Sequence, residues 1–134
     1  MSDNDVPAEL RYTKEHEWVS VVGEEVLIGV TEYAQSALGD IVYVELPAEG
    51  ETLSQEESFG SIEAVKAVSE LYSPVGGVVI EVNAVIEADP GVVNRSPYED
   101  GWMIRARLTN PAEVEDLMTA EDYTAFIGDL EHSE

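Results

Sequence analysis

The sequence predicts a mainly β fold: a small barrel or sandwich of short strands, with one brief internal helix and a helical C-terminus. Three observations carry this. Apolar residues recur in short, β-rich runs separated by Gly, Pro, Asn and Asp, the pattern of strands and turns. The segment "GWMIRARL" (Gly101 to Leu108) alternates most cleanly, with Trp102, Ile104, Ala106 and Leu108 on one side and Met103, Arg105 and Arg107 on the other. Beyond Asn110 the apolar period lengthens to that of a helix.

Taken in order, residues up to about Glu9 are polar and aperiodic and read as a frayed lead-in. "EWVSVVGEEVLIGV" gives two β-rich runs around Gly23, a hairpin. "TEYAQSALG" is a brief helix with Thr31 as N-cap, Ala34, Ala37 and Leu38 on one face, and Gly39 just past its end. "DIVYVELP" alternates and stops at Pro47, which cannot donate to a ladder. After a turn around Gly50, one strand leads up to Lys66; "AVSELYSPVGGVVIEVN" leads away from it, turning at Ser73 to Gly77. "DPGVVNRSPYEDG" reads as a loop that Pro97 and Tyr98 fix ahead of the alternating strand, and it matches neither a P-loop nor an EF-hand. Asn110, Pro111 at the first helical position and Glu113 two residues on form a capping-box-like start, followed by Val114, Leu117 and Met118. Thr119 caps a second helical set with Tyr123, Phe126 and Ile127 on one face, ended by Gly128 and a solvated tail over 129–134. The count comes to about seven strands, a number that suits a small barrel or sandwich.

A chain of 134 residues suits one domain, 1–134, with a core that needs no staples. There is no cysteine, so disulfides, thiolate metal sites and a cysteine nucleophile are all excluded. His16 has no second histidine at ligand spacing, so a zinc motif fails. The acidic start "MSDNDVPAEL" lacks the apolar run of a signal peptide and the arginines of a transit peptide. No apolar stretch reaches the ~20 residues that cross a membrane. A soluble, cytoplasmic, monomeric protein is the expectation.

The formal net charge is −23, from 29 Asp plus Glu against six Lys plus Arg. Nucleic acid and anionic membranes need basic patches, so both are poor partners. The acids are scattered through every segment rather than blocked into a tail, which reads as a solvating surface. Acid enrichment with lysine depletion suggests the cytosol of a halophilic host, where salt screens the repulsion.

Only two residues are lysines, Lys14 and Lys66. Lys66 sits between two strand-like runs, flanked by Ala64-Val65 and Ala67-Val68, with no residue for a primed turn. That is a hairpin tip carrying a long amine on a short, small-residue support. A Schiff-base lysine needs burial or a cationic neighbour, and the stretch "EAVKAV" offers neither. Two readings remain for it, a target for modification by another enzyme and a plain solvent-facing turn residue.

The stretch "GSIEAVKAVSELYSPVGGVVIEVN" resembles the lipoyl-lysine hairpin of the H-protein family of the glycine cleavage system. "YTKEHEWV" (Tyr12 to Val19), "IGVTEYAQSALGDIVYVELP" (Ile28 to Pro47) and "NRSPYEDGWMIRARL" (Asn94 to Leu108) are similar to that family's other segments, in the same order and spacing. The resemblance runs from Leu10 to about Ile127. It implies a lipoyl-domain-like barrel-sandwich hybrid, two small sheets related by an approximate two-fold, with a helical C-terminus. It also implies lipoic acid joined as an amide to Lys66 by a lipoate ligase or lipoyltransferase. The family member is no enzyme. It carries the aminomethyl group of glycine from a pyridoxal-phosphate glycine decarboxylase to a tetrahydrofolate-dependent aminomethyltransferase, and then meets dihydrolipoamide dehydrogenase.

The resemblance further implies that Glu17 in "HEW" contacts the loaded arm, with Glu15 and Glu70 at neighbouring positions of the same pocket. Glu15 stands where family members carry serine. The rival readings are a lipoyl domain of another complex, a biotinyl carrier and a non-lipoylated interaction protein on the same fold. An acid typically precedes the lysine of 2-oxoacid dehydrogenase lipoyl domains and methionines flank a biotinyl lysine, whereas Val65 and Ala67 stand here.

Overall fold

The computed structural model describes residues 6–132. Two antiparallel sheets hold the chain together. The larger has six strands in the order β1-β2-β3-β9-β8-β5, the smaller has three in the order β4-β6-β7, and both orders are open. The strands are β1 (Arg11–Tyr12), β2 (Glu17–Val22), β3 (Glu25–Val30), β4 (Ile41–Glu45), β5 (Thr52–Leu53), β6 (Ser58–Ala64), β7 (Val68–Tyr72), β8 (Gly77–Val82) and β9 (Ile104–Leu108). Nine strands are therefore described, against the seven expected; the two-residue β1 and β5 are too short to show a period.

The expected local devices are present. β2 and β3 pair in register from Glu17↔Val30 to Val22↔Glu25, and the turn between them uses Gly23 at φ +65°. Helix α1 (Glu32–Leu38) begins where the Thr31 side chain accepts from the Ala34 N–H, and it ends at Gly39. β4 stops at Glu45, two residues before Pro47. Trp18 Nε1–H donates to the Pro97 carbonyl at 2.9 Å, and the Tyr98 hydroxyl accepts from the Glu32 N–H at 2.9 Å. The Pro97-Tyr98 loop thus fixes both the second strand and the start of α1.

Four expectations need correction. Met103 does not share a face with Arg105 and Arg107; it is fully buried, because β9 begins only at Ile104 and the preceding residues follow their own path into the core. The segment read as one loop, Asp89 to Gly101, contains helix α3 (Val92–Arg95), and just ahead of it stands a helix the sequence reading did not name, α2 (Ala84–Ala88), capped by the Asn83 side chain. Both are about one turn long, below the length at which periodicity is visible. Glu113 does not close a capping box over the 3₁₀ segment Pro111–Asp116; its carboxylate instead accepts from the Gly76 N–H at 2.7 Å. Helix α4 (Ala120–His132) runs through Gly128 and takes in Asp129 to His132, so the predicted stop and much of the tail are helical. A mid-helix glycine costs only about 1 kcal/mol, and the buried Tyr123 and Ile127 anchor the preceding turns. Of the predicted lead-in, residues 1–5 lie outside the described residues. Within 6–9, Val6 packs on the cluster around Tyr12 and the Pro7 carbonyl accepts from the Tyr12 hydroxyl at 2.5 Å, so this part is not frayed throughout.

Three apolar clusters fill the interior. Val19, Val26, Ile28, Leu53, Val75, Val79, Ile104 and Ala106 pack on the large sheet. Ile41, Val44, Ile62, Ala64 and Leu71 of the small sheet pack against Ile86, Val92, Val93 and Met103. Leu10, Tyr12, Trp18, Tyr123 and Ile127 dock α4 on the start of the large sheet, with the Tyr12 and Tyr123 rings stacked 4.7 Å apart. Each fully buried large side chain contributes about 1.5–3 kcal/mol, so these clusters fix the frame on which the small sheet presents its hairpin.

Candidate functional site

Lys66 stands at the tip of the β6–β7 hairpin. β6 and β7 pair up to Glu63↔Val68, and the Ala64 N–H then donates to the Ala67 carbonyl at 2.7 Å to close the tip. The Val65 N–H donates to the Asp40 carbonyl at 3.1 Å, which ties the tip to the loop after α1. Ala64 points into the core while Val65, Lys66, Ala67 and Val68 are exposed. The side chain that carries the amine is therefore exposed, and the backbone just before it is held by hydrogen bonds. Among the described residues no ion pair involves Lys66.

The second constellation surrounds Glu17, the first residue of β2. The residue is 2% exposed, yet it lines a cleft of about 500 Å³ together with Glu15, Gln55, Tyr72, Pro74 and Met118. Thr13 O–H donates to Glu17 Oε1 at 2.7 Å, and the Tyr72 N–H donates to Oε2 at 3.0 Å. The Thr13 hydroxyl also accepts from the Glu17 N–H at 3.2 Å, so one side chain holds both ends of the residue. Tyr72 is the last residue of β7, the strand that starts beside Lys66. The cleft thus lies at the base of the hairpin whose tip is the lysine.

A buried network shapes the turn before Glu17. His16 sits at φ +72°, in the left-handed region that non-glycine residues seldom occupy. Its Nδ1 and the Tyr123 hydroxyl are 2.8 Å apart, and that hydroxyl is 2.8 Å from Thr31 Oγ1, the cap of α1. The His16 carbonyl accepts from the Thr31 N–H at 3.0 Å. Burial lowers the His16 imidazole and raises the Tyr123 phenol, so both are neutral near neutral pH. Helices α1 and α4 together hold the turn that aims Glu17.

Glu15 and Glu17 are brought to the same cleft. Glu70 is not; it lies on the exposed side of β7, where Ser58 O–H donates to it at 2.5 Å. Sequence reasoning missed Thr13 and Tyr72. Thr13, four residues ahead of Glu17 in "YTKEHEW", is the one signal that was present, since a hydroxyl next to a carboxylate across a tight turn can satisfy it. Among the described residues no cluster of His, Asp or Glu could hold a metal ion.

Burial pushes the Glu17 carboxyl up to about 7 from 4.5, against the hydrogen bonds from Thr13 and Tyr72, with the Glu15 charge adding to the rise. An unfolded glutamate loses its proton near 4.5 while the folded one keeps it to about 7. The native state thus binds more protons in that window, and stability from this group falls as pH rises through it. Glutamine satisfies the same partners, its Oε1 accepting from the Tyr72 N–H and its amide donating to Thr13. Glu17→Gln should therefore gain on the wild type by on the order of 2 kcal/mol above about pH 7 and by almost nothing near pH 4.5. Urea unfolding of both proteins at about pH 5 and about pH 8 checks this; equal differences at the two pH values would contradict it.

Comparisons with known proteins place this geometry. The family model described as "Glycine cleavage H-protein" matches residues 10–130. The chain is 53% identical over 124 residues to the glycine cleavage system H protein of Staphylococcus carnosus (strain TM300), covering 92% of this chain and 98% of that one. The same identity and coverage hold for the glycine cleavage system H protein of Staphylococcus saprophyticus subsp. saprophyticus. Among solved structures, the crystal structure of a glycine cleavage system H protein from Mycobacterium marinum superposes with a TM-score of 0.85 at 37% identity, over 92% of this chain and 99% of that one.

Proposed function

The chain belongs to the glycine cleavage H-protein family, and on that premise we propose that Lys66 carries a covalently bound lipoyl group, with Glu17 as the group that holds its cargo. The family supplies a non-catalytic lipoyl carrier to glycine cleavage, and this chain has that role. The single observation that supports Lys66 is the hairpin tip: an exposed lysine, in no ion pair among the described residues, on a backbone pinned to the Asp40 loop and flanked by small or apolar residues.

The residues present fit a lipoyl amide. Acylation removes the lysine charge, and no carboxylate among the described residues is left without its partner by that loss. The lipoyl group supplies a dithiolane at the end of a long chain, able to carry the aminomethyl group of glycine. The cargo ends in an amine that is cationic when protonated. Glu17 is already oriented by Thr13 and Tyr72 and opens on a cleft, so a cation there makes charge-assisted hydrogen bonds to it. With a cation held there the Glu17 carboxyl would release its proton to solvent and act as the carboxylate, because an opposite charge favours the charged form. Glu15, exposed at the cleft, adds to the attraction. Glu70, on the neighbouring exposed face, meets whatever approaches along β7.

The partners are the pyridoxal-phosphate glycine decarboxylase, the tetrahydrofolate-dependent aminomethyltransferase, dihydrolipoamide dehydrogenase, and the ligase or transferase that attaches lipoate. The place is the cytoplasm; no described helix is long and apolar enough to cross a membrane. Glycine-dependent release of carbon dioxide by the first three of these enzymes in purified form should require this protein in its lipoylated state. Equal release with the unmodified protein would defeat the proposal.

The surplus of acids belongs to the same reading, as an adaptation to a saline cytosol. Raising potassium chloride from ~0.1 M to ~1 M shortens the Debye length from about 10 Å to about 3 Å. Repulsion across a chain of net charge −23 is then screened, and the thermal midpoint should climb steeply over that interval, as followed by the fluorescence of Trp18 and Trp102. A flat series would remove the salt adaptation and leave the carrier role untouched.

A further inference from the structure

We propose that the exposed face of the small sheet beside Lys66 is the docking surface for the enzyme that attaches the lipoyl group. It offers apolar side chains next to the lysine and carboxylates one row further away. The inference rests on the carrier reading of Lys66.

Pairing registers place the residues. Tyr43 pairs with Glu63 and Glu63 with Val68, so these three lie abreast across β4, β6 and β7. Two residues further from the tip, Glu45 pairs with Ser61 and Ser61 with Glu70, a second row on the same face. Val44, Ile62 and Leu71 alternate with them into the core, which leaves both rows facing solvent. Tyr43 is 54% exposed, Val68 67% and Val65 69%, and the bulge at β4 adds Val42 at 49%. Four of the eight large apolar residues exposed among those described therefore fall on the hairpin tip that carries Lys66 and on β4 beside it. On a chain of net charge −23, where solubility asks for acids, such a cluster marks an interaction surface.

The occupant follows from reach. Amide formation requires that the amine, having given its proton to a base of the enzyme, attack the carbonyl carbon of an activated lipoyl donor, a mixed anhydride or a thioester. The C–N bond forms as the bond to the leaving group breaks; the leaving group takes that bond's electron pair, and the nitrogen gives up its extra proton to the same base. No arm exists yet, so the enzyme must come within one lysine side chain, about 6 Å, of the hairpin backbone. Its rim then closes on Val65, Val68 and Tyr43. Enzymes that act later work at the far end of the arm and are not forced into that contact.

The complementary rim is apolar around the acyl channel, with cationic side chains facing Glu63, Glu45 and Glu70. Ser61 O–H donates to Glu45 at 3.4 Å and Ser58 O–H to Glu70, which orients both carboxylates. None of the three is in an ion pair among the described residues. Acids at such a rim set the encounter rate and its salt dependence, while the apolar centre sets the lifetime of the complex.

The test uses full-length unmodified protein, a purified lipoate ligase, lipoic acid and ATP, with lipoylation followed by intact mass. The double variant Tyr43→Ser/Val68→Ser should lose tenfold or more in kcat/KM, through KM, and reach full modification when ligase and protein are abundant. Glu63→Lys should show a several-fold loss that shrinks as salt is raised. Val22→Ser, on the exposed β2–β3 turn of the other sheet, should match the wild type. Unchanged thermal midpoints establish that the variants fold, since every altered side chain is exposed. Rates for the double variant within twofold of the wild type would overturn the docking surface alone. So would normal lipoylation combined with lost glycine decarboxylation, which would give the face to a later enzyme, or a concentration-dependent dimer that the double variant abolishes. A wild type that takes no lipoyl group would overturn the carrier reading, and the docking surface with it.

Discussion

Lys66→Arg is expected to abolish glycine-dependent release of carbon dioxide while the protein keeps its fold. Arginine preserves the charge at the hairpin tip, but its guanidinium is never deprotonated in a protein and so cannot form the lipoyl amide. The position is exposed and makes no ion pair among the described residues, so stability should move by less than about 0.5 kcal/mol. The contrast between total loss of turnover and unchanged unfolding is what a carrier site requires. Activity in the reconstituted system that survives at more than a trace, or modification shifted to Lys14, would contradict the assignment.

Gly60→Ala should be the most damaging small substitution in the lysine hairpin. Gly60 lies in β6 where the pairing with β7 shifts register. A Cβ there would stand 2.1 Å from the Glu45 carbonyl oxygen and 3.2 Å from its carbon. The obstacle is backbone, not a side chain that could swing aside, so β4 and β6 must separate and lose ladder hydrogen bonds. A cost of about 3 kcal/mol or more is expected, a fall of ~10 °C in Tm for a domain of this size. Gly128→Ala supplies the opposite sign. Its added methyl meets nothing within 4 Å, and alanine in a helix interior is worth about 0.5–1 kcal/mol over glycine. Thermal unfolding of the two variants decides; equal shifts would mean that the close approach at Gly60 relaxes without cost.

Much of the fold was legible because it is written in short-range chemistry. Thr31 before "EYAQSAL", Gly23 between two β-rich runs and Asn110-Pro111 each announce an element through one hydrogen bond or one backbone preference. What was not legible depends on partners far along the chain. Met103 is buried because its N–H donates to the Ile28 carbonyl and its side chain enters the small-sheet core, neither of which local alternation can report. Glu113 finds Gly76, a distant residue, in place of its own helix start. α4 passes through Gly128 because Tyr123 and Ile127 are held from outside the helix.

The site divides the same way. Lys66 could be picked out from composition and its small flanks, since a tip residue owes its exposure to its immediate neighbours. Glu17 could be named only through a family resemblance. Its burial, and its grip by Thr13 and the Tyr72 backbone, arise where β2 meets the end of β7. Glu70 looked equivalent in sequence, yet it stands two residues short of Tyr72 along the same face of β7, where its carboxylate is exposed and held by Ser58 while the cleft begins only at Tyr72.

The central claim is that Lys66 carries one lipoyl amide. Intact-mass measurement and peptide mapping of the protein isolated from its native host test it most directly. The expected result is a single added lipoyl group, located on the peptide containing Lys66, with Lys14 unmodified. An unmodified chain in cells that are actively cleaving glycine, or a lipoyl group found on Lys14 instead, would contradict it.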